Sequence, residues 1–332
     1  MKKILVVNMN YLGDALMTTP VHAALRQRFP DATIDAIAGS QQGYGAFDIL
    51  AHNPHINNLI ERKQGDFWTR SWQLLMVLIR GRYDGVVILP PIASYKIAAM
   101  LALTRTRLSV ARQSSTMHMS DVMLDAIKRV VPVDQSCMEL VLDVPAEDRE
   151  SVRRLLDTLH GDGAIVGVNL GASRPQKRWP SQSFARLIEK QVALGRRIVL
   201  LGGKNPDDVA TAQSVVNELH GAPILDLVAK TTVMELAAVV DACDVLVTAD
   251  TGAMHIASAV RTPMVAIFGS TDPIVSGPYG STPATVLYKR LSCSPCGNHP
   301  TCNGAFTCMS DVTPIEVGAA VDALIAVAPA SV

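Results

Sequence analysis

An α/β fold with two parallel sheets is expected from three features of this 332-residue chain. Short Val/Ile-rich runs recur, each closed by Gly, Asp or Ser and followed by a helix-length segment, which is the pattern of buried parallel strands with crossover helices. The same strand, loop and helix plan begins twice, near Ile4 and near Ile165. Between the two starts lies a glycine-rich joint, His160-Gly161-Asp162-Gly163, and two domains of about 150 residues suit a chain of this length.

The composition narrows the class. Hydrophobic residues make up 48% and charged ones 18%, yet no apolar run approaches the ~20 residues that span a bilayer. Thirty basic residues balance thirty acidic ones, so bulk charge gives no reason to expect nucleic-acid binding. Met1-Lys2-Lys3 before an apolar run resembles a signal peptide. The run is too short, no small-residue cleavage site follows, and it reads as the first strand. Six cysteines, four of them between residues 293 and 308, do not form the spread framework of a secreted fold, and a cytoplasmic location is expected.

In the first half, Ile4 to Met9 is a strand and Asn10 to Asp14 a turn into a helix that runs to Phe29, with Pro20 kinking or restarting it. Asp14 is either a helix cap or a carboxylate held at the carboxyl end of the first strand, where open sheets place ligands. The turn has no Gly-x-Gly-x-x-Gly, so a dinucleotide site is disfavoured there; Gly13 leaves room for a bulky substrate. Ala32 to Ala38 and Gly85 to Leu89 are further strands; Trp68 to Ile79 and Tyr95 to Leu103 are helices. Arg105, Arg107, Arg112 and His118 gather in a segment poor in acids, either as an anion site or as a solvated face. A helix from Arg149 to Leu159 leads to the joint.

In the second half, Ile165 to Leu170 is a strand followed by the cationic loop Gly171 to Pro180. Ser173, Lys177 and Arg178 there suit a diphosphate, with an exposed basic loop as the alternative. Asp207 and Asp208, after the strand Arg197 to Leu201, are either helix caps or ligands of sugar hydroxyls. The stretch Asp244 to Asp272 carries the clearest signal. A Val-rich strand ends in Asp250-Thr251-Gly252, a helix to Val260 follows, and Met264 to Phe268 is the next strand. Thr251 supplies an N-cap hydroxyl, and the first turn of the helix offers N–H groups and a dipole to an anion such as a diphosphate. His255 either joins that site or packs in the core.

Four motifs in order, Gly13-Asp14 with Thr18-Thr19-Pro20, Lys177-Arg178-Trp179-Pro180, Asp250-Thr251-Gly252 with His255, and Phe268-Gly269-Ser270-Thr271-Asp272-Pro273, resemble those of glycosyltransferase family 9, the ADP-heptose:lipopolysaccharide heptosyltransferases. The resemblance runs from residue 2 to about 320. It implies a GT-B fold, two Rossmann-like domains with parallel sheets facing across a cleft. Residues 1–160 would bind the acceptor and 161–312 the nucleotide-sugar donor, and a last helix within 313–332 would pack back on the first domain. The implied reaction is an inverting, metal-independent transfer of heptose from ADP-L-glycero-D-manno-heptose to the inner core of a lipid A-core oligosaccharide. Asp14 would be the base; Ser173 and Lys177 would hold the diphosphate, joined by Thr251, Gly252 and His255; Asp250 would contact the heptose and Met234 line the adenine pocket. Gly13, Arg112 and His118 are the acceptor-side candidates.

No catalytic cofactor is implied, and an inverting displacement needs one base and a cationic pocket for the leaving group, not the carboxylate pair of a retaining hydrolase. Cys293, Cys296, Cys302 and Cys308 either bind a structural zinc or iron or remain reduced thiols; similar clusters occur in the branch of the family that adds the second heptose. A monomer with peripheral contact on the cytoplasmic face of the inner membrane is expected. The competing readings are transfer to a protein or small-molecule acceptor, and a nucleotide-sugar-binding protein without catalysis.

Overall fold

In the computed structural model, which describes residues 1–8, 11–39, 45–65, 67–89, 107–110, 114–128, 130–134 and 137–327, the chain divides into two units between Asp143 and Val144. Each unit is wound on its own all-parallel sheet. The helix expected at Tyr95 to Leu103, and the candidate residues Arg105 and Arg112, lie outside the described residues.

The first sheet holds β1 (Lys3–Val7), β2 (Thr33–Gly39), β3 (Asn58–Arg62), β4 (Gly85–Ile88) and β5 (Arg107–Val110), in the order β3-β2-β1-β4-β5. Strand alternation sends successive side chains to opposite faces. Ile4 and Val6 of β1 pack with Met17, Val21 and Leu25 of α1 (Leu12–Arg28) and with Met123, Leu124 and Ile127 of α4 (Met119–Ile127). Leu5 and Val7 pack on the other face with Leu74 and Leu78 of α3 (Phe67–Gly81). The short α2 (Ala46–Ala51) covers the β2 edge, Ala46 and Leu50 meeting Ala15 and Ala38.

Of the kink or restart expected at Pro20, the restart is absent: α1 is one helix through the proline. Proline has no N–H for the Leu16 carbonyl, and the Thr19 hydroxyl donates to that carbonyl instead, at 2.7 Å. Thr18 does the same for Ala15 at 2.6 Å, and the Thr19 oxygen also accepts the Val141 N–H at 2.8 Å. The Thr-Thr-Pro motif is thus a self-repaired helix segment.

The second sheet runs β11-β10-β9-β6-β7-β8, made of β6 (Ile165–Asn169), β7 (Arg197–Leu201), β8 (Ile224–Asp226), β9 (Val245–Ala249), β10 (Met264–Phe268) and β11 (Ala284–Tyr288). Counted from β6, this is the 3-2-1-4-5-6 winding of a Rossmann sheet, with its switch point between β6 and β9. One face is covered by α6 (Ser181–Ala193), α7 (Pro206–Glu218) and α12 (Pro314–Val327), whose core includes Phe184, Val215, Val317 and Val321. The helices α5 (Ala146–Leu156), α8 (Val233–Asp241) and α9 (Gly252–Val260) pack on one another. Two short helices, α10 (Pro273–Ser276) and α11 (Thr307–Ser310), complete the unit.

Two expectations about domain limits differ from what is found. The division precedes α5, because Val152 and Leu156 are buried there and Arg149 pairs with Asp241 of α8; the glycine joint at Gly161 is a turn inside the second unit. The final helix buries Val317 and Val321 in the second unit's core, and a Thr313/Glu316 capping exchange with Lys289 on Glu316 fixes its start there.

Candidate active site

Open parallel sheets bind ligands outside the carboxyl ends of the strands at the switch point. In the second unit that point is bridged by side chains. Asn169 ends β6, and its amide donates to Thr248 Oγ1 and Thr251 Oγ1, both at 3.0 Å, while the two threonine oxygens lie 3.1 Å apart. Thr251 occupies the N-cap position of α9 with extended backbone, yet its hydroxyl makes no cap hydrogen bond. This corrects the expectation of an N-cap hydroxyl: the side chain turns to Asn169 and Thr248 and leaves the first turn of the helix to whatever approaches it. A helix start of this kind favours an anion through its N–H groups and dipole.

The loop after β6 reaches the same point. A single 3-10 turn, Pro175–Lys177, carries Lys177, whose Nζ lies 2.6 Å from Asp250 Oδ2, with the two side chains 18% and 8% exposed. A near-dry pair costs desolvation that good geometry must offset, so it argues for a role beyond stability. An ammonium has three N–H donors, and one contact to Asp250 leaves capacity for an anionic oxygen beside the α9 start.

The neighbouring cation has another task. Arg178 donates to the carbonyls of Leu170, Ala172 and Asp207, to Thr211 Oγ1, and to Asp208 Oδ1 at 2.8 Å. Asp208 also accepts the N–H groups of Ala172 and Gly203 and the Asn205 amide. Asp208 therefore ties the loops after β6 and β7 together, and is neither the helix cap nor the sugar ligand that sequence reasoning left open. Gly171 is required beside it, since a Cβ there would lie 2.8 Å from Asp208 Oδ2.

A family model described as glycosyltransferase family 9 (heptosyltransferase) matches residues 95–306, well over half of the chain. The chain belongs to glycosyltransferase family 9. It is therefore an enzyme that transfers a sugar, on a GT-B fold of two Rossmann-like units. Among its relatives is lipopolysaccharide heptosyltransferase 3 of Escherichia coli, 28% identical over 300 residues, 82% of this chain and 85% of that protein. Lipopolysaccharide heptosyltransferase 2 of Escherichia coli K12 is 24% identical over 348 residues, 97% and 98% of the two chains. A family 9 glycosyltransferase of Veillonella parvula has the same fold, with a TM-score of 0.82 at 24% identity over 98% of each chain.

The remaining family motifs take their places on this frame. His255 is buried in α9, Met234 is buried in the first turn of α8, Gly252 opens α9, and Ser173 is exposed on the loop after β6. Gly269 has a packing reason: a Cβ would lie 2.6 Å from Met309 Sδ and 2.8 Å from Cys308 Sγ. Asp272 caps α10 by accepting the Ile274 N–H at 2.9 Å.

In the first unit Gly13 and Asp14 lie in the first turn of α1, each partly buried, beside the carboxyl end of β1. His118 is the N-cap of α4, its Nδ1 accepting the Ser120 N–H at 3.1 Å, a structural bond that the acceptor-site expectation did not foresee. Sequence reasoning missed Arg62. It ends β3, donates to the Asn8 carbonyl at 2.8 Å, and has its pKa lowered to about 10 by burial and by Arg70. A guanidinium so placed is a cation held at the ligand edge of the sheet. No signal pointed to it, because β3 was not read as a strand. Asn169 was missed as well, although a polar residue closing an apolar strand at the switch point was a usable sign.

The metal expectation does not fit the thiols. Cys293, Cys296, Cys302 and Cys308 are free, and among the described residues no group of three or more His, Cys, Asp or Glu side chains is arranged to hold a metal ion. Burial first, then the neighbouring thiols, push Cys308 up, against a lowering contact from Ser294. The loop that carries them meets the site's border through Gln176, which donates to the Gly297 carbonyl at 3.2 Å, and through the Gly297 N–H to Ser270 carbonyl bond at 2.7 Å.

Proposed function

We propose that this enzyme moves heptose from ADP-L-glycero-D-manno-heptose to a lipopolysaccharide inner-core acceptor, with inversion and without a metal ion. The observation that carries the reading is the Lys177–Asp250 pair set beside the α9 start at the β6/β9 switch point. Support comes from relatives named as lipopolysaccharide heptosyltransferases 2 and 3.

Asp14 takes the proton of the acceptor hydroxyl as its oxygen attacks the anomeric carbon, and the bond from that carbon to the diphosphate oxygen breaks. Negative charge then grows on the departing ADP. Lys177, Ser173, Thr251 and the N–H groups opening α9 at Gly252 receive it, the task a metal ion performs in other transferases. His255 supports that helix turn, Asp250 faces the heptose hydroxyls, and Met234 lines the adenine pocket. On the acceptor side Gly13 leaves room for the sugar, and Arg62, Arg112 and His118 serve an anionic core. The acceptor is lipid-anchored, which places the enzyme peripherally on the cytoplasmic face of the inner membrane.

The test is transfer from ADP-heptose to defined inner-core acceptors carrying one heptose or two, in EDTA, with the new linkage assigned by NMR. Transfer with an inverted anomeric centre is expected. Transfer only to a protein or small-molecule acceptor would overturn the acceptor, and loss of turnover in EDTA restored by a divalent cation would overturn the metal-free mechanism.

A further inference from the structure

Helix α3 presents an outward face that sugar transfer does not use. Trp68 is 76% exposed, Trp72 65% and Ile79 54%. At about 100° per residue, Trp68, Trp72, Leu75 and Ile79 fall within one narrow stripe, with Met76 at its border. The inward side carries Leu74 and Leu78, buried against Leu5, Val7, Ile37, Val86 and Ile88. The helix is thus apolar on both sides, whereas an ordinary surface helix turns its polar residues outward.

Its charge is of one sign. The stretch from Phe67 to Arg82 contains Arg70, Arg80 and Arg82 and no acidic residue; all three arginines are exposed, as is Lys63 just before the helix. Trp with apolar neighbours on a helix whose only charges are cationic is the composition of helices that lie in a bilayer surface, where indole rings sit at headgroup level and cations meet anionic lipid. A second copy of the chain fits less well, because the helix offers no acidic residue to pair with the arginines of a copy. At 15 residues the helix is roughly 22 Å long, too short to cross. None of the described helices is long and apolar enough to span a membrane.

We propose that α3 docks the first unit onto an anionic bilayer through the Trp68, Trp72, Leu75 and Ile79 face. The proposal extends the reading of a lipid-anchored acceptor, but its test needs neither donor nor acceptor, so the two can fail separately. Vesicles of phosphatidylcholine with phosphatidylglycerol are mixed with the full-length protein and sedimented, and tryptophan emission is recorded. Of the three tryptophans, Trp179 is 1% exposed and donates to the Val312 carbonyl at 2.8 Å, so a blue shift reports on Trp68 and Trp72.

Binding to the anionic vesicles, a blue shift, and weaker binding in high salt or to pure phosphatidylcholine are expected. The double substitution Trp72→Glu with Ile79→Glu should lower the bound fraction at least about tenfold while the melting temperature is kept. Wild-type protein left in the supernatant, equal sedimentation of the double variant, or a dimer in solution that the double variant dissociates without any vesicle binding would each overturn the proposal.

Discussion

At the carboxyl edge of the second sheet, side chains lace three loops together: Asp208 and Arg178 join the loops after β6 and β7, and Asn169 joins β6 to Thr248 and Thr251. Among the described residues at the same edge of the first sheet, Arg62 donates to the Asn8 carbonyl and the buried Asn8 amide reaches the Val6 carbonyl and His22. A prebuilt lattice suits a ligand whose charge develops in one place, since fixed donors need no reorganisation when the bond breaks. The proposed mechanism accordingly gives the diphosphate chemistry to the second unit and proton removal to Asp14 in the first.

The largest effect that would sharpen this division is expected for Asp14→Ala. Turnover should drop by about three orders of magnitude, the middle of the range for a lost general base, with ADP affinity in calorimetry unchanged. Unchanged turnover would remove Asp14 as the base. Next comes the contrast between adjacent cations. Lys177→Ala should cut kcat about 100-fold even at low temperature, because it removes a donor to the leaving group, and it also lowers stability by leaving the mostly buried Asp250 without its cation. Asp208→Ala should instead destabilise the fold by about 3 kcal/mol by stranding Arg178, which is mostly buried, with residual turnover near wild type at low temperature. If both variants lost activity alike at low temperature, where each is folded, the separation of site from brace would be wrong.

A smaller effect is expected at Thr251→Val, where loss of one hydroxyl should raise the donor KM several-fold, corresponding to about 1 kcal/mol. A further effect concerns stability alone. Burial, followed by the charge of His55, lowers His22 from its ordinary 6.5 to about 3. The unfolded chain therefore takes up the proton first. The contribution of neutral His22 is complete above its ordinary value and is lost as pH falls from 6.5 toward 3, at about 1.4 kcal/mol per pH unit. Urea titrations between pH 7 and 4.5 should show that slope, and His22→Gln should flatten it.

The second half of the chain was the more legible. Its central strands are short, largely apolar runs with loops at the expected ends, and Lys177, Asp250 and Thr251 could be assigned because each follows such a strand; the edge strand β11 was not read. Their mutual contacts could not, since the Thr251 hydroxyl had two local uses and only Asn169, far away in sequence, decided between them. In the first half β3 (Asn-Leu-Ile-Glu-Arg) and β5 (Arg-Leu-Ser-Val) carry too few apolar residues to read as buried strands, because both lie at sheet edges. The same physics hid Arg62. Arg178 read as a diphosphate or loop cation and Asp208 as a helix cap or sugar ligand, because a chain written in order does not show that two loops share one carboxylate.

The central claim is that the second unit is a prebuilt site for an ADP-sugar, and ligand-dependent melting of wild type and Lys177→Ala tests it most directly. ADP and ADP-heptose should raise the melting temperature of the wild type more than UDP- or GDP-sugars do, since a ligand bound only by the native state stabilises it by mass action. Most of that rise should vanish in Lys177→Ala. Stabilisation by UDP- or GDP-sugars alone, or an undiminished response to ADP in the variant, would contradict the assignment.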